Sequence, residues 1–462
     1  MSASSNPTTA QADIANVQTL LNEARFSGYQ WMIFVLCFLI VLLDGFDTAA
    51  IGFIAPSLLS EWGLEKSQLG PVLSAALFGL AFGALGAGPL ADRFGRKSVL
   101  TLAVLVMGTA SVVSGLVHSL EDLTLWRFIT GLGLGAAMPN AVTLMNEYCP
   151  DSKRSFITNC MFCGFPIGSA FGGFFAAWMI PHFGWRSLLI LGGVAPLLLA
   201  VIMIFLLPES VRFMVLKKFS ADRIRKVMLH ITDKARTAQG FVLQDNVASL
   251  SAADSGPQGL RLVFSRPFIV GTLALWLTYF MGLVIVYGLV NWMPVLFKDA
   301  GVPSSQAAVI AALFQLGGVG AIFFGLLMDR WNANLIIASG YLLTSVAVAF
   351  IGQVLGGSVG LLVASVFVAG LLMNAAQSSM QALAAEYYPT AGRASGVSWM
   401  LGIGRFGGIA GSFLVAELSR RHMAMTEVFL VIAIPGVIAA VALLVKNKFA
   451  GAHQKMTRVA GH

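Results

Sequence analysis

The chain has 462 residues, of which 57% are apolar and only 11% charged, and it carries a formal net charge of +8. Soluble domains are about a quarter charged, so this composition excludes an ordinary soluble protein and indicates one built in lipid. The positive excess invites an acidic or nucleic-acid partner, but the positions of Lys and Arg assign it to membrane orientation. No nucleic-acid partner is expected.

The first 28 residues are polar, without a basic segment ahead of a short apolar core and cleavage site, so the first span should be retained. Twelve apolar segments of membrane-crossing length follow. They lie near 29–56, 69–91, 98–118, 122–146, 155–178 and 184–207, then 267–293, 305–328, 334–354, 357–384, 393–416 and 424–446. The expected organisation is all-α, with two six-helix bundles at 29–207 and 267–446. Three segments flank them: a cytoplasmic tail over 1–28, a cytoplasmic linker over 208–266 and a second tail over 447–462. An even number of spans puts both termini on one side. With the termini inside, only Lys66, Arg186, Lys298, Arg420 and Arg421 fall outside, and Arg127 and Arg405 fall within spans. The rest of the 29 Lys and Arg lie inside, which is the positive-inside asymmetry.

The first span holds Asp44 and Asp47, separated by Gly45 and Phe46. Each would cost roughly 2.5–3.5 kcal/mol as a charge facing lipid. Three residues apart on a helix, they fall near one face. Charges buried in a membrane are functional by default. The fourth span supplies a candidate partner, Arg127, followed by Gly131, Gly133 and Gly135, which allow close helix approach. Arg127 and the two aspartates lie at compatible depths in the outer half. An aspartate that alternates between a cation and a buried environment can load and release a proton.

Between the second and third spans runs Gly88-Pro89-Leu90-Ala91-Asp92-Arg93-Phe94-Gly95-Arg96-Lys97. Gly325 to Arg330 echoes it 237 positions later, keeping Asp329 and Arg330 but placing Asn332-Ala333-Asn334 where the basic tail stood. Glu147-Tyr148 with Arg154 is echoed 239 positions on by Glu386-Tyr387 with Arg393, and Gly168, Gly172 and Phe174 by Gly407, Gly411 and Phe413. Three ordered matches at nearly constant offset indicate two related halves, an architecture in which the site lies between the repeats. The four charged residues are expected to exchange ion pairs with the two loop motifs when the inside is closed; plain surface pairing is the alternative.

Cys160 and Cys163 have CxxC spacing, but their apolar helical flanks make them small packing residues rather than a redox motif. The linker holds Lys217, Lys218, Arg223, Arg225, Lys226, Lys234 and Arg236. An amphipathic helix is expected near 219–230. Its basic face is a solvated charge run or a contact for lipid headgroups.

In the second half, the seventh span carries Tyr279, Tyr287, Asn291 and Trp292, and the tenth Asn374, Gln377, Ser378, Ser379 and Gln381. Lipid cannot satisfy such groups, so they line a cavity for a planar, partly polar ligand or join helices. Arg405, mid-way through the eleventh span, indicates an anionic substrate, because a guanidinium grips carboxylates bidentately. Six histidines form no metal cluster with Cys or Glu, and no catalytic constellation or cofactor is expected.

The loop from Gly88 to Lys97 resembles the signature of the major facilitator superfamily. The resemblance implies two rocking six-helix bundles, with Asp92, Arg93 and Arg96 in an inner gate. The stretch from Asp44 to Pro56 resembles the first span of the aromatic acid:proton symporter family within it. So do Gly86 to Lys97, Met161 to Phe165, Leu275 to Tyr287 and Gly396 to Gly407. The resemblance covers the membrane part, not the linker or termini. It implies uptake of aromatic carboxylates such as 4-hydroxybenzoate or protocatechuate with protons, across a bacterial inner membrane, by a monomer. Asp44 and Asp47 would serve proton coupling, with Arg127, Arg393 and Arg405 as required charges. The alternatives are another acid (benzoate, vanillate, gallate or hydroxyphenylpropionate) or a drug/proton antiporter.

Overall fold

The computed structural model describes residues 14–243, 260–388 and 390–459; the side chains of Asp329 and Arg393 lie outside the described residues. It is almost wholly helical. Six spans precede the linker: α1 (Gly28–Trp62), α2 (Leu69–Phe94), α3 (Arg96–Ser114), α4 (Leu120–Glu147), α5 (Arg154–Phe162 continuing as Gly164–Phe183) and α6 (Trp185–Leu206). Six follow it: α7 (Ile269–Asp299), α8 (Ser304–Leu316 continuing as Ala321–Arg330), α9 (Ala333–Val354), α10 (Val359–Tyr387), α11 (Thr390–Arg420) and α12 (Met425–Val459). Among the described residues 11 helices are long and apolar enough to cross a membrane, and α8 makes the twelfth crossing in two pieces.

Local chemistry sets the ends. Ser27 and Gln30 form a reciprocal capping box at the start of α1. Gly63, in the left-handed conformation at φ +62°, stops it. The turn from α2 to α3 is made by Gly95 at φ +97°. The break in α8 falls on Gly317–Gly320, where a Cβ on Gly317 would overlap the backbone of Gly370 and Leu371 in α10. Within the first half, α2 and α4 touch backbone to backbone. A Cβ on Gly131 would strike the Ala76 carbonyl, and one on Gly135 the Leu80 carbonyl.

The two chain ends, the linker and the α2–α3 turn share one end of the bundle, called here the linker face. Two short strands, Ile14–Asn16 and Gly240–Val242, pair in parallel there. The amphipathic helix appears at Ala221–Leu229. Its apolar side buries Ile224 and Met228 with Val17, Leu20 and Leu21 of the N-terminal helix, so that side meets protein. Its Arg225 binds the Ala238 carbonyl at 2.7 Å and Asp222 at 2.5 Å.

The halves meet most tightly toward the opposite face. Gly52 of α1 packs on Asn291 of α7, and Gly70 of α2 on Ala416 and Phe413 of α11. Lys66 and Asp299 form an ion pair of 2.5 Å there, and Lys298 donates to the Pro56 carbonyl at 3.0 Å. Toward the linker face, by contrast, the Asp92 side chain is 70% exposed. Contact at one end and exposure at the other describe two halves closed together on the face opposite the linker.

Candidate functional site

Asp44 and Asp47 leave α1 in different directions. Asp47 points into the first half. Arg127 Nη1 donates to its Oδ1 at 3.0 Å and Nη2 to its Oδ2 at 2.7 Å, with a further bond of 3.2 Å to the Asp47 carbonyl. Ser111 of α3 donates to Oδ1 at 3.0 Å. Both charged side chains are fully buried. The pair is bidentate with a third donor on the carboxylate, a strong charge-assisted arrangement, although Arg127 Nε is buried without a partner among the described residues. Gly45 lies against the backbone of Phe165 in α5, so it thins the contact with that helix rather than the space between the aspartates.

Asp44 points to the boundary between the halves. Its carboxylate accepts one bond, 3.3 Å from Thr48 Oγ1. Across the boundary, Arg405 of α11 lies within electrostatic reach of Asp44, Tyr287 and Tyr279. Its one described hydrogen bond, 3.4 Å to the Leu80 carbonyl, is long. No carboxylate among the described residues is within 4.0 Å of it. Thus Arg127 is committed to a carboxylate, whereas Arg405 has none within 4.0 Å among the described residues. A cavity of about 10 Å³, lined by Thr48, Leu80, Tyr287 and Asn291 among others, adjoins them; it has room for about one water.

The other polar residues divide. Tyr279 stands beside Gln377, Gln381 and Arg405, and the rings of Tyr279 and Tyr287 pack on Gly404 and Gly408 of α11. These groups surround the Arg405 guanidinium. Asn374 instead donates to the Phe314 carbonyl at 3.0 Å and the Gly370 carbonyl at 2.9 Å, joining α10 to the break in α8. Gln377 accepts from Tyr341 at 2.7 Å, so much of its amide is spent on packing. Ser378 is exposed and Ser379 buried. Trp292 is fully buried and donates to the Ser412 carbonyl at 3.0 Å. Asn291 donates to Ser412 Oγ at 2.8 Å and the Leu73 carbonyl at 3.4 Å, and its Oδ1 has no partner. The Trp292 indole and the Asn374 amide nitrogen thus take the second of the two expected parts, joining helices.

At the linker face, Arg96 joins Asp92 at 3.0 Å, Glu147 at 3.7 Å and Asn140 at 3.4 Å. Arg93 stacks on Phe94. Arg154 pairs with neighbouring Asp151 at 2.8 Å rather than with Glu147. Glu386 and Arg330 are exposed. Sequence reasoning missed Thr48 and Ser111, hydroxyls too common to single out. It also missed Glu209, which receives the Lys97 N–H at 3.1 Å; a carboxylate directly after the sixth span was the available signal.

Two six-helix halves enclosing an acid–arginine site at their boundary define a membrane transporter that works by alternating access. The comparisons with known proteins agree. A model of the Major Facilitator Superfamily matches residues 37–356 and, in a second alignment, 296–459, and the chain belongs to that family. It is similar to the 4-hydroxybenzoate transporter PcaK of Pseudomonas putida, 49% identical over 94% of this chain and 96% of the relative. It is also similar to a gallate transporter of Pseudomonas putida, 44% identical over 93% and 94% of the two chains. The fold matches that of the xylose transporter XylE from E. coli with a TM-score of 0.69, at 19% identity, covering 90% of this chain and 95% of that one. The relatives are named as transporters, and the chain is a transporter, not an enzyme.

Proposed function

We propose that the chain imports hydroxylated benzoates together with protons across a bacterial inner membrane. The observation that carries this is Arg405: a guanidinium at mid-depth, without a carboxylate partner among the described residues, flanked by Tyr279 and Tyr287 and facing Asp44. A fork of donors between phenol rings suits an aromatic carboxylate. The relatives named for 4-hydroxybenzoate and gallate support the same class. The linker face is assigned to the cytoplasm from the Lys and Arg asymmetry. The bundles are taken as 29–207 and 267–446, and the working unit as a monomer.

Coupling follows from charge balance. With the site empty, Arg405 and Asp44 neutralise one another across the boundary. A substrate carboxylate on Arg405 takes that cation, leaving two anions around one guanidinium in a low-dielectric site. A proton on Asp44 removes the conflict, so acid and proton bind best together. Asp47 is already bonded by Arg127 and Ser111 and has no such conflict to resolve. Depth alone slightly favours Asp47 as carrier; its bidentate bond to Arg127 reverses the choice. The inner gate comprises Asp92, Arg93, Arg96, Glu147 and Arg154, with Asp329, Arg330, Glu386 and Arg393 in the second half.

Competition for uptake tests the substrate class. Unlabelled 4-hydroxybenzoate and protocatechuate should displace labelled 4-hydroxybenzoate, and hexoses or aliphatic acids should not. Equal displacement by a hexose overturns the reading.

A further inference from the structure

The second-half loop keeps Arg330 but lacks the basic tail of Arg96 and Lys97, yet that half holds a buried cation elsewhere. Lys446, near the linker-face end of α12, is 3% exposed. Its ammonium donates to Asn334 Oδ1 at 2.6 Å and lies 4.7 Å from the centre of the Tyr387 ring. Glu386 is within its electrostatic reach, and no carboxylate among the described residues is closer than 4.0 Å. Asn334 also bonds Asn332 and Asn447. A buried ammonium is costly without full pairing, and an apolar side chain would fill this space without that cost.

The repeat gives the position meaning. Lys97 and Asn334 are 237 positions apart, and so are Glu209 and Lys446. Both pairs are in contact, by different atoms: the Lys97 backbone N–H meets Glu209 Oε1 at 3.1 Å in the first half, and the Asn334 side-chain Oδ1 accepts from the Lys446 ammonium at 2.6 Å in the second. The tyrosines correspond too. Tyr148 donates to the Glu209 carbonyl at 2.5 Å, and Tyr387 carries Lys446 on its ring. The same two positions thus meet in both halves with different chemistry. In the first half the loop backbone meets a carboxylate at the end of the sixth span, while the Lys97 ammonium donates to the Ile204 carbonyl at 2.9 Å. In the second a neutral amide loop meets an ammonium at the end of the twelfth.

We propose that Lys446 is a positioning residue of the inner gate, supplying from α12 the cation that the Asn332-Ala333-Asn334 loop lacks. It holds Asn334, and through charge Glu386, where the second half closes onto the first. Its amide and aromatic partners belong to its own half, so its charge travels with that half as the gate closes.

This rests on the inner-gate reading of the linker face. The test compares Lys446→Met, Lys446→Arg, Lys446→Glu and the double variant Asn334→Lys with Lys446→Glu, which gives the second half the polarity of the first. Uptake of 4-hydroxybenzoate, protein level in the membrane and substrate affinity of purified protein are measured together. The Met variant should lose about tenfold in uptake at normal level, with affinity within about twofold of wild type. The Arg variant should keep at least about half of wild-type uptake, since charge is retained. The double variant should exceed Lys446→Glu severalfold. Normal uptake by the Met variant, equal loss of affinity or membrane level, or a double variant no better than Lys446→Glu each overturns the proposal. Failure of the substrate reading shows separately, as absent uptake by the wild-type protein.

Discussion

Asp44 and Asp47 differ by one turn of helix and by everything that surrounds them. Replacing Asp47 with Asn strips a fully buried Arg127 of its counter-charge, and breaking such a pair costs about 3–5 kcal/mol. The expected variant is poorly folded, lowering both exchange and accumulation, and a thermal melt of purified protein checks it. Replacing Asp44 with Asn mimics the protonated acid at a site with a single Thr48 bond. That variant should melt normally, exchange labelled for unlabelled substrate, and fail to concentrate it against a gradient. Accumulation by Asp44→Asn in proteoliposomes under a pH step would remove Asp44 as the carrier. Arg405→Lys keeps the charge and loses the planar fork, so substrate affinity should fall by about tenfold or more; equilibrium binding at wild-type strength would take Arg405 out of the site. That both acids and both arginines matter is legible in the sequence, because charge is rare in a span. Which acid faces which arginine is not, since an offset of about 60° between positions three apart on a helix decides it and no pattern of residue types records that angle.

At the scale of elements, runs of apolar residues reveal where helices cross but not where they break. The eighth span reads as continuous over 305–328, yet its glycines 317, 318 and 320 let α10 press against the backbone and interrupt it. Facing this break, Pro166 in α5 touches Gly318 across the two halves. Likewise Trp292 and Asn374 look like ligand groups in sequence, and only packing shows their polar atoms bonded to neighbouring backbone. The ion pair at the face opposite the linker is hidden in the sequence for another reason: Lys66 follows α1 and Asp299 ends α7, corresponding places in the two halves, but nothing in either stretch announces the pairing. Their pair is partly exposed, with side-chain accessibilities of 37% and 26%, so it is worth about 0.2–1 kcal/mol. Asp299→Asn should therefore shift the equilibrium toward the outward-open form by up to about fivefold. The readout is a lower apparent Kd for substrate added outside right-side-out vesicles. An unchanged Kd, together with no recovery in the Lys66→Asp, Asp299→Lys exchange, would show that the pair does not hold this face closed.

For the whole molecule, the number of proton carriers sets which force drives uptake. An aromatic acid with a benzoate-like pKa enters as a monoanion at neutral pH. A negative-inside potential opposes that charge by roughly 2.3 kcal/mol per 100 mV. One proton on Asp44 cancels the charge, and the crossing then responds to the pH gradient alone. Two protons would make entry electrogenic. Asp47, the other aspartate of α1, points into the first half and is bonded by Arg127 and Ser111, so it is not assigned as a second carrier. One proton per substrate is the expected ratio. In proteoliposomes, an imposed pH step, acid outside, should concentrate 4-hydroxybenzoate. A potassium diffusion potential of about 100 mV, negative inside, without a pH step should not, although it carries enough free energy for roughly a fortyfold gradient if one net positive charge moved inward. Accumulation driven by the potential alone would mean that a second proton travels, and hence that the Asp47–Arg127 pair opens during the cycle. Asp47→Asn would then abolish the response to potential while sparing the response to pH, the opposite of a purely structural loss.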